Sequence, residues 1–142
     1  MPDALNLSIR PATEKDADAV VALWRACDLV ASYNDPAKDF RFALGKPNSD
    51  ILLGTVADGR IAGSVLVGHD GHRGWIYYVA ADPAYRKQKV GRRMVDATEA
   101  WLKKRGVAKA MLLVRETNTQ VVDFYTHIGY EAVPRTVMQR WL

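Results

Sequence analysis

One stretch, residues 77–102, limits most strongly the folds open to this chain, because it joins a buried strand to a helix through a basic turn. Its first five residues are apolar or aromatic, as in a buried strand, and Asp82 and Pro83 end this run. From Val90 onward, apolar residues recur with the helical period of about 3.6. The first N–H groups of such a helix have no intrahelical partner and lie at the positive end of its dipole, so this turn favours an anion.

Five cationic side chains surround the start of this helix, and they are Arg86, Lys87, Lys89, Arg92 and Arg93. Like charges at such close spacing repel one another unless an anion neutralises them. The sequence therefore predicts a ligand that carries phosphate groups.

The composition fits one soluble domain. At 142 residues, 49% of them hydrophobic, the chain is long enough to bury a core and too short for two ordinary domains. Its single cysteine, Cys27, cannot form an internal disulfide, and the N-terminus lacks the apolar core of a signal peptide. No run approaches the roughly 18 consecutive apolar residues of a membrane span. We therefore expect a cytoplasmic protein with no membrane partner.

The charge distribution argues against nucleic acid as the main partner. The formal net charge is +4, but 16 acidic residues are interspersed with 20 basic ones along most of the chain. The basic excess is concentrated at residues 86–93 and 103–105. A compact polyanion suits this pattern better than a long nucleic-acid backbone, and no aromatic stacking platform accompanies the charge.

Hydrophobic periodicity predicts strands and helices that alternate along the chain. The expected strands cover residues 5–10, 51–57, 61–69, 75–81, 108–114, 130–133 and 136–141. The expected helices cover residues 14–31, 36–44, 90–105 and 118–128. This order predicts an α/β (α+β) fold over residues 1–142, with a mixed, mostly antiparallel central sheet of about six to seven strands and helices on both faces.

Two motifs carry a resemblance to a known family. In residues 85–92, Arg86 and Gly91 match a pattern of Gln or Arg, two residues, Gly, one residue, Gly or Ala, whereas Lys89 occupies the first glycine position. The second motif is an Asn followed by a helix that carries a Tyr and ends in Gly and an aromatic residue; it consists of Asn118, Phe124, Tyr125, Gly129 and Tyr130. In this order and roughly thirty residues apart, the motifs resemble those of the GNAT superfamily of N-acyltransferases. The small bacterial YpeA-like branch is one candidate within it.

The resemblance implies a single GNAT-like domain that uses acetyl-CoA as co-substrate and no metal. The acyl-CoA loop of the family falls on Arg86, Lys87, Gln88, Lys89, Val90, Gly91 and Arg92. A lysine at a glycine position either strains the turn, because left-handed angles cost a residue with a Cβ about 1 to 2 kcal/mol, or shifts the turn to ordinary angles. The implied acceptor is a primary amine of a small molecule or a protein. The resemblance leaves open whether the protein forms a homodimer.

The resemblance also assigns roles to the neighbouring strand. In the family the equivalent of Val79, Ala80 and Ala81 splays from the next strand, so that free backbone N–H groups bind pantetheine and stabilise an oxyanion. A tightly packed buried strand is the alternative for these residues. Asn118 is expected to hydrogen-bond the pantetheine arm, and a plain helix N-cap is its alternative role.

Tyr125 is the implied general acid. An amine attacks the thioester carbon of acetyl-CoA, the carbonyl oxygen becomes an oxyanion, and the CoA thiolate leaves. A phenol with a pKa of about 10 is protonated at neutral pH and can donate its proton to a thiolate with a pKa of about 8.5. From spacing alone, Tyr125 is equally a core aromatic on an amphipathic helix.

The general base is not assigned by the sequence. A lysine acceptor with a pKa of about 10.4 needs a base, because its neutral form costs about 4.6 kcal/mol at pH 7. Four residues are candidates, namely Glu116, Asp70, His69 and His72, and a water relay is equally open. The missing base and Lys89 leave a rival function, an acyl-CoA-binding protein without transferase activity, and a basic nucleic-acid module is a second rival.

Overall fold

The computed structural model describes residues 5–142, and a five-stranded sheet organises the first part of the chain. The strands β1 (Ser8–Pro11), β2 (Ser49–Thr55), β3 (Ile61–His69), β4 (Gly74–Ala81) and β5 (Ala110–Met111) lie side by side in chain order. The strands β1 to β4 pair with one another in antiparallel order, and β5 runs parallel to β4. The prediction of a mixed, mostly antiparallel sheet is confirmed.

The expected count of six to seven strands is not confirmed, since the described residues form five. Residues 130–133 and 136–141 were expected to close the sheet, but they form no strand. Their apolar side chains remain exposed, including Val137 at 63% and Met138 at 89%, so the alternating pattern buries no face. Pro134 also interrupts this segment, and proline cannot donate to a strand ladder. The strand expected over residues 108–114 is only two residues long.

Three helices flank the sheet on its two faces. They are α1 (Ala17–Ala26), α2 (Pro36–Ala43) and α3 (Val90–Lys104). On one face, Trp24 of α1 and Phe40 of α2 are fully buried against Ile51 and Leu53 of β2. On the other face, Gly54 of β2 points toward α3, because successive residues of a strand face opposite sides. The predicted placement of helices on both faces is confirmed.

Helix α1 ends five residues earlier than the sequence predicts. Asp28 adopts a left-handed φ of 56°, which an α-helix cannot continue. Its N–H donates to the Arg25 carbonyl at 3.0 Å, and the Leu29 N–H donates to the Trp24 carbonyl at 3.0 Å. These two bonds form a Schellman motif, which satisfies the last carbonyls of the helix.

Glycine on β3 brings α3 close to the sheet. A Cβ built on Gly63 would lie 2.5 Å from Cγ1 of Val90 and 3.1 Å from the Ala80 carbonyl oxygen, so no other residue fits there without movement. Val90 is the first residue of α3. The close approach therefore fixes the N-terminus of α3 beside the C-terminal end of β4.

The chain separates into two compact units at Leu112, and the second unit, Leu113–Leu142, contains helix α4 (Thr119–His127). Asn118 precedes this helix, and Gly129 follows it with a φ of 103°, as predicted for a C-terminal glycine. That the whole chain is a single domain stays a prediction. None of the helices within residues 5–142 is long and apolar enough to cross a membrane.

Candidate functional site

The loop between β4 and α3 has left-handed backbone angles at two lysines, although such angles favour glycine. Lys87 has a φ of 64°, and Lys89, which is the N-cap of α3, has φ 61° and ψ 28°. The sequence left two outcomes for Lys89, a strained left-handed turn or a turn with ordinary angles, and the structure has the strained turn. The loop starts where the Asp82 carboxylate accepts the Ala84 N–H at 2.9 Å. The Lys89 side chain makes no capping hydrogen bond, so neither this residue nor the helix itself satisfies the first N–H groups of α3.

The five cations at this terminus differ in their partners. Arg93 donates to the Leu7 carbonyl oxygen at 3.1 Å, which ties α3 to the segment before β1. Arg92 lies 3.6 Å from the Asp96 carboxylate one turn along the helix. Within residues 5–142 no ion pair forms on the three exposed cations of the loop, which are Arg86, Lys87 and Lys89. The loop therefore concentrates unpaired positive charge beside a helix N-terminus, which is the arrangement that an anion stabilises.

Toward its C-terminal end, which leads into this loop, strand β4 has one edge without a strand partner among the described residues. It pairs with β5 only at Gly74 and Trp75, so its remaining edge on that side has no strand partner among the residues the structure describes. On its other side, β4 carries an extra residue: Ser64 lies opposite Ala80 and Leu66 lies opposite Tyr77, which leaves Val65 facing two residues. This β-bulge contains Tyr78 at a left-handed φ of 54°. Val79 thus lies in the bulge, Ala80 and Ala81 follow it, and all three residues border the open edge.

Side chains from two helices, α1 and α2, hold Tyr78. The rings of Trp24 and Tyr78 stack with centroids 3.9 Å apart and an interplanar angle of 7°. The Tyr78 hydroxyl donates to Oδ2 of Asp39 at 2.8 Å. Burial and the neighbouring Asp39 carboxylate raise the pKa of Tyr78 far above its ordinary value. Sequence reasoning missed Asp39 and the bulge, and no local signal could have found them, since these contacts join residues about 40 to 55 positions apart.

In the second unit, Tyr125 is buried on α4 with 7% of its surface exposed. Its ring meets Phe124 and Tyr130 edge to face, with centroids 5.0 Å and 5.5 Å apart. Burial raises the pKa of Tyr125 to about 12. Asn118 is the N-cap by position, but its side chain makes no capping hydrogen bond, so the exposed amide is available to another partner. The catalytic role of Tyr125 and the binding role of Asn118 stay predictions.

The candidate bases on the β3–β4 hairpin lie at the end of β4 opposite to the bulge. His69, Asp70 and His72 precede β4, and Ala80 lies six residues into the strand from Gly74, a distance of roughly 20 Å at about 3.3 Å per residue. The Asp70 carboxylate also accepts the N–H groups of His72 and Arg73, at 2.9 Å and 2.7 Å, and these bonds hold its pKa at about 2. Asp70 is therefore a turn-forming residue and a poor base. Glu116 is exposed in the second unit and stays a candidate.

Comparison with known proteins identifies the family. The sequence profile described as the acetyltransferase (GNAT) family matches residues 17–130. An acetyltransferase of Pectobacterium atrosepticum is 37% identical over 127 residues, which are 89% of this chain and 89% of that protein. The chain therefore belongs to the GNAT acetyltransferase family. Membership of a YpeA-like branch stays a prediction.

Solved structures share the fold at low sequence identity. The aminoglycoside N-acetyltransferase AAC(6')-Iy in complex with CoA matches with a TM-score of 0.82 and 15% identity, over 99% of this chain and 98% of that one. The antibiotic 6'-N-acetyltransferase AAC(6')-Ih from Acinetobacter baumannii matches with a TM-score of 0.79 and 16% identity, over 96% and 99% of the two chains. These likenesses show a GNAT fold for this chain.

Proposed function

We propose that this protein transfers an acetyl group from acetyl-CoA to a primary amine by direct attack, with Tyr125 as the general acid. The observation that carries the proposal is the N-terminus of α3, where a left-handed loop presents three unpaired cations. A pyrophosphate satisfies both the helix N–H groups and these cations. In a GNAT protein, acetyl-CoA is the natural source of that group. In this proposal the reaction takes place in the cytoplasm, where Cys27 stays a free thiol.

The backbone of the first unit holds the cofactor. The pyrophosphate is bound by the loop and first turn of α3, which consist of Arg86, Lys87, Gln88, Lys89, Val90, Gly91 and Arg92. The open edge of β4 offers to pantetheine, in the manner of an added strand, those N–H groups of Val79, Ala80 and Ala81 that point away from β3. The same groups stabilise the oxyanion that forms when the amine attacks the thioester. Asn118 contributes its uncapped amide to the pantetheine arm.

The raised pKa of Tyr125 defines how it acts as an acid. A pKa of about 12 keeps the phenol protonated at every physiological pH. Complete transfer to a free thiolate with a pKa of about 8.5 would then be uphill by about 4.8 kcal/mol. Tyr125 therefore donates a hydrogen bond that strengthens as negative charge develops on sulfur. As the C–S bond breaks, the phenol passes its proton to sulfur and recovers one from the nitrogen of the attacking amine, so the products are the amide, the free CoA thiol and a neutral Tyr125.

Cationic amines are the first acceptors to test. AAC(6')-Iy has been solved with a bisubstrate analogue that joins CoA to an acetylneamine group. The segment between α1 and α2 and its flanks carry Asp28, Asp35 and Asp39, which suit a positively charged acceptor. The experiment is a screen of aminoglycosides, polyamines, lysine peptides and peptides with a free α-amine, with release of the CoA thiol as the readout. We expect at least one amine to release thiol well above the hydrolysis background.

A second function is favoured by the position of the candidate bases. His69, Asp70 and His72 lie far from the open part of β4, as a protein that binds acyl-CoA without transferring the acyl group would allow. Saturable CoA binding without thiol release for any amine in the screen would establish this second function. Thiol release with one amine would exclude it.

A further inference from the structure

The bulge of β4 is held in a conformation that its own sequence disfavours. Tyr78 has a φ of 54°, a region that glycine enters freely and a bulky aromatic residue rarely adopts. A residue in this region persists only when its surroundings hold it there. The bulge consists of Tyr78 and Val79 and is followed by Ala80 and Ala81, so it sets the backbone direction of this segment.

Two side chains hold Tyr78 from outside the strand. Trp24 is fully buried, and its Nε1 donates to Oγ of Ser64 at 3.0 Å, which fixes the indole to β3. The face of that indole stacks on the Tyr78 ring at 3.9 Å. The hydroxyl at the other end of Tyr78 is bound by Asp39 at 2.8 Å. The side chain of Tyr78 is thus fixed along its whole length by α1 and α2, although the residue belongs to β4.

We infer that Asp39 and Trp24 are positioning residues that act through Tyr78: together they hold the left-handed bulge and so aim the backbone N–H groups that follow it at the thioester carbonyl. This inference rests on the proposed function, because it assumes that β4 binds the acetyl thioester. It assigns to α2 a role in the alignment of the oxyanion site, in addition to any role in covering the acceptor. Since Asp39 needs only to accept a hydrogen bond, an amide oxygen can replace its carboxylate.

The test uses three variants and three readouts. Tyr78→Phe and Asp39→Ala remove the hydroxyl bond, whereas Asp39→Asn keeps an acceptor at the same place. We expect kcat to fall by about tenfold for the first two and by less than about threefold for Asp39→Asn, because the oxyanion N–H groups are misaligned rather than removed. CoA lacks the acetyl carbonyl but makes the same pantetheine contacts, so its Kd should rise by no more than about threefold, which is less than the fall in kcat. Exchange of the amide hydrogens of residues 77–80 should accelerate by about tenfold in Tyr78→Phe.

Tyr77→Phe is the matched control, since Tyr77 is the preceding residue of β4 and its side chain is 43% exposed. It should leave kcat and amide exchange unchanged. If Asp39→Asn loses as much activity as Asp39→Ala, or if Tyr78→Phe keeps wild-type kcat and exchange, the positioning role is overturned. If the wild-type protein neither binds CoA nor releases thiol, the proposed function fails instead, and the role in catalysis fails with it. If these variants unfold, Trp24→Phe replaces them and is compared with the wild type: it keeps a buried ring on Tyr78 but loses the hydrogen bond to Ser64, so it should lower kcat and accelerate amide exchange at residues 77–80. Wild-type kcat and exchange in Trp24→Phe would then overturn the positioning role.

Discussion

At the scale of single residues, Tyr125 combines a buried ring with a phenol that stays protonated. Tyr125→Phe keeps the edge contacts with Phe124 and Tyr130 and removes only the hydroxyl group that carries the acidic proton. We expect kcat to fall by about 10² to 10⁴, with little change in acetyl-CoA affinity or in Tm. Steady-state kinetics with the best acceptor of the screen measures this loss. Unaltered turnover would rule out Tyr125 as the acid.

The pH dependence offers an independent check on Tyr125. Since burial raises the pKa of Tyr125 to about 12, its proton is lost only in strongly alkaline solution. The kcat of the wild-type enzyme should therefore not decline between about pH 8 and pH 10.5 on account of this residue. A tyrosine with an ordinary pKa of about 10 would lose half of its acid form by pH 10. A decline with a midpoint near pH 10 that disappears in Tyr125→Phe would show that CoA binding lowers this pKa.

Lys89 combines a backbone cost with an electrostatic gain. Its left-handed angles cost about 1 to 2 kcal/mol, and its exposed ammonium can supply about 1 kcal/mol or more beside phosphates. Because the two effects are of similar size, Lys89→Gly should change CoA affinity little at low salt and give a shallower dependence on ionic strength. Isothermal titration at low and high salt measures both slopes. Lys103→Gln, at the opposite end of α3, is the control and should keep the wild-type slope.

Equal slopes for Lys89→Gly and the wild type would show that the Lys89 side chain points away from the phosphates. A large gain in affinity on restoring glycine would instead indicate a weakened cofactor site and favour the function without catalysis.

The residues of the site differ in how far the sequence alone could predict them. The cationic loop and the start of α3 at Val90 follow from charge and periodicity within a dozen residues, and the structure places the helix start at that residue. The left-handed angle of Tyr78 depends on Trp24 and Asp39, which lie 54 and 39 positions away along the chain. No window of local sequence contains that information. The same reasoning applies to Asp70, whose role in a turn at the other end of β4 from Ala80 depends on contacts that its own position in the sequence does not specify.

At the scale of elements, local signals predicted where helices start better than where strands pair. Asp35 caps α2 by accepting the Lys38 N–H at 3.2 Å, and the helix begins at Pro36, where the sequence predicted its start. The segment after Gly129 has the alternation of a strand but forms none, because a strand exists only if a neighbour provides a ladder and a face to bury. Helix caps are local interactions, whereas strand pairing is not.

The junction between β1 and α1 makes the stability of the fold depend on pH. The Asp16 carboxylate accepts both terminal nitrogens of Arg10, at 2.9 Å and 3.0 Å, and the Thr13 N–H at 2.8 Å. Chiefly through the Arg10 hydrogen bonds, its pKa is lowered to about 2. Because the folded pKa lies below the unfolded value of about 3.9, this contribution is fully present above about pH 4 and is lost as the pH falls through 2.

Asp16→Asn should therefore lower the free energy of unfolding by about 1 to 2 kcal/mol at pH 7, a range reduced because the Arg10 side chain is 42% exposed. The difference between wild type and variant should shrink between pH 4 and pH 2 and vanish below it. Urea unfolding at several pH values measures it. Glu14→Gln, whose carboxylate forms an exposed pair with Arg41, is the control and should change stability by less than about 0.5 kcal/mol. A constant difference at all pH values would show that Asp16 acts through packing rather than charge.

At the scale of the whole molecule, the position of the charges matters more than the net charge of +4. A protein that follows a nucleic-acid backbone needs cations spread along a surface, whereas here the three unpaired cations of the loop adjoin one helix N-terminus. A ligand with a few closely spaced phosphates gains all of these contacts at once. The distribution therefore favours CoA over a long polyanion as the physiological partner.

Thermal unfolding with each ligand tests that preference for the intact chain. A ligand that binds only the folded protein stabilises it by about 2.7 kcal/mol at a concentration of 100 Kd, which for a chain of this length raises Tm by about 10 °C. CoA should produce this increase at about 150 mM salt, where duplex DNA at the same phosphate concentration should produce none. Gly91→Val is the matched variant: Gly91 is the second residue of α3, so a branched side chain there obstructs the approach of phosphate and should abolish the increase while the Tm without ligand stays near that of the wild type. An increase with DNA that exceeds the increase with CoA would contradict the assignment of this loop to acetyl-CoA.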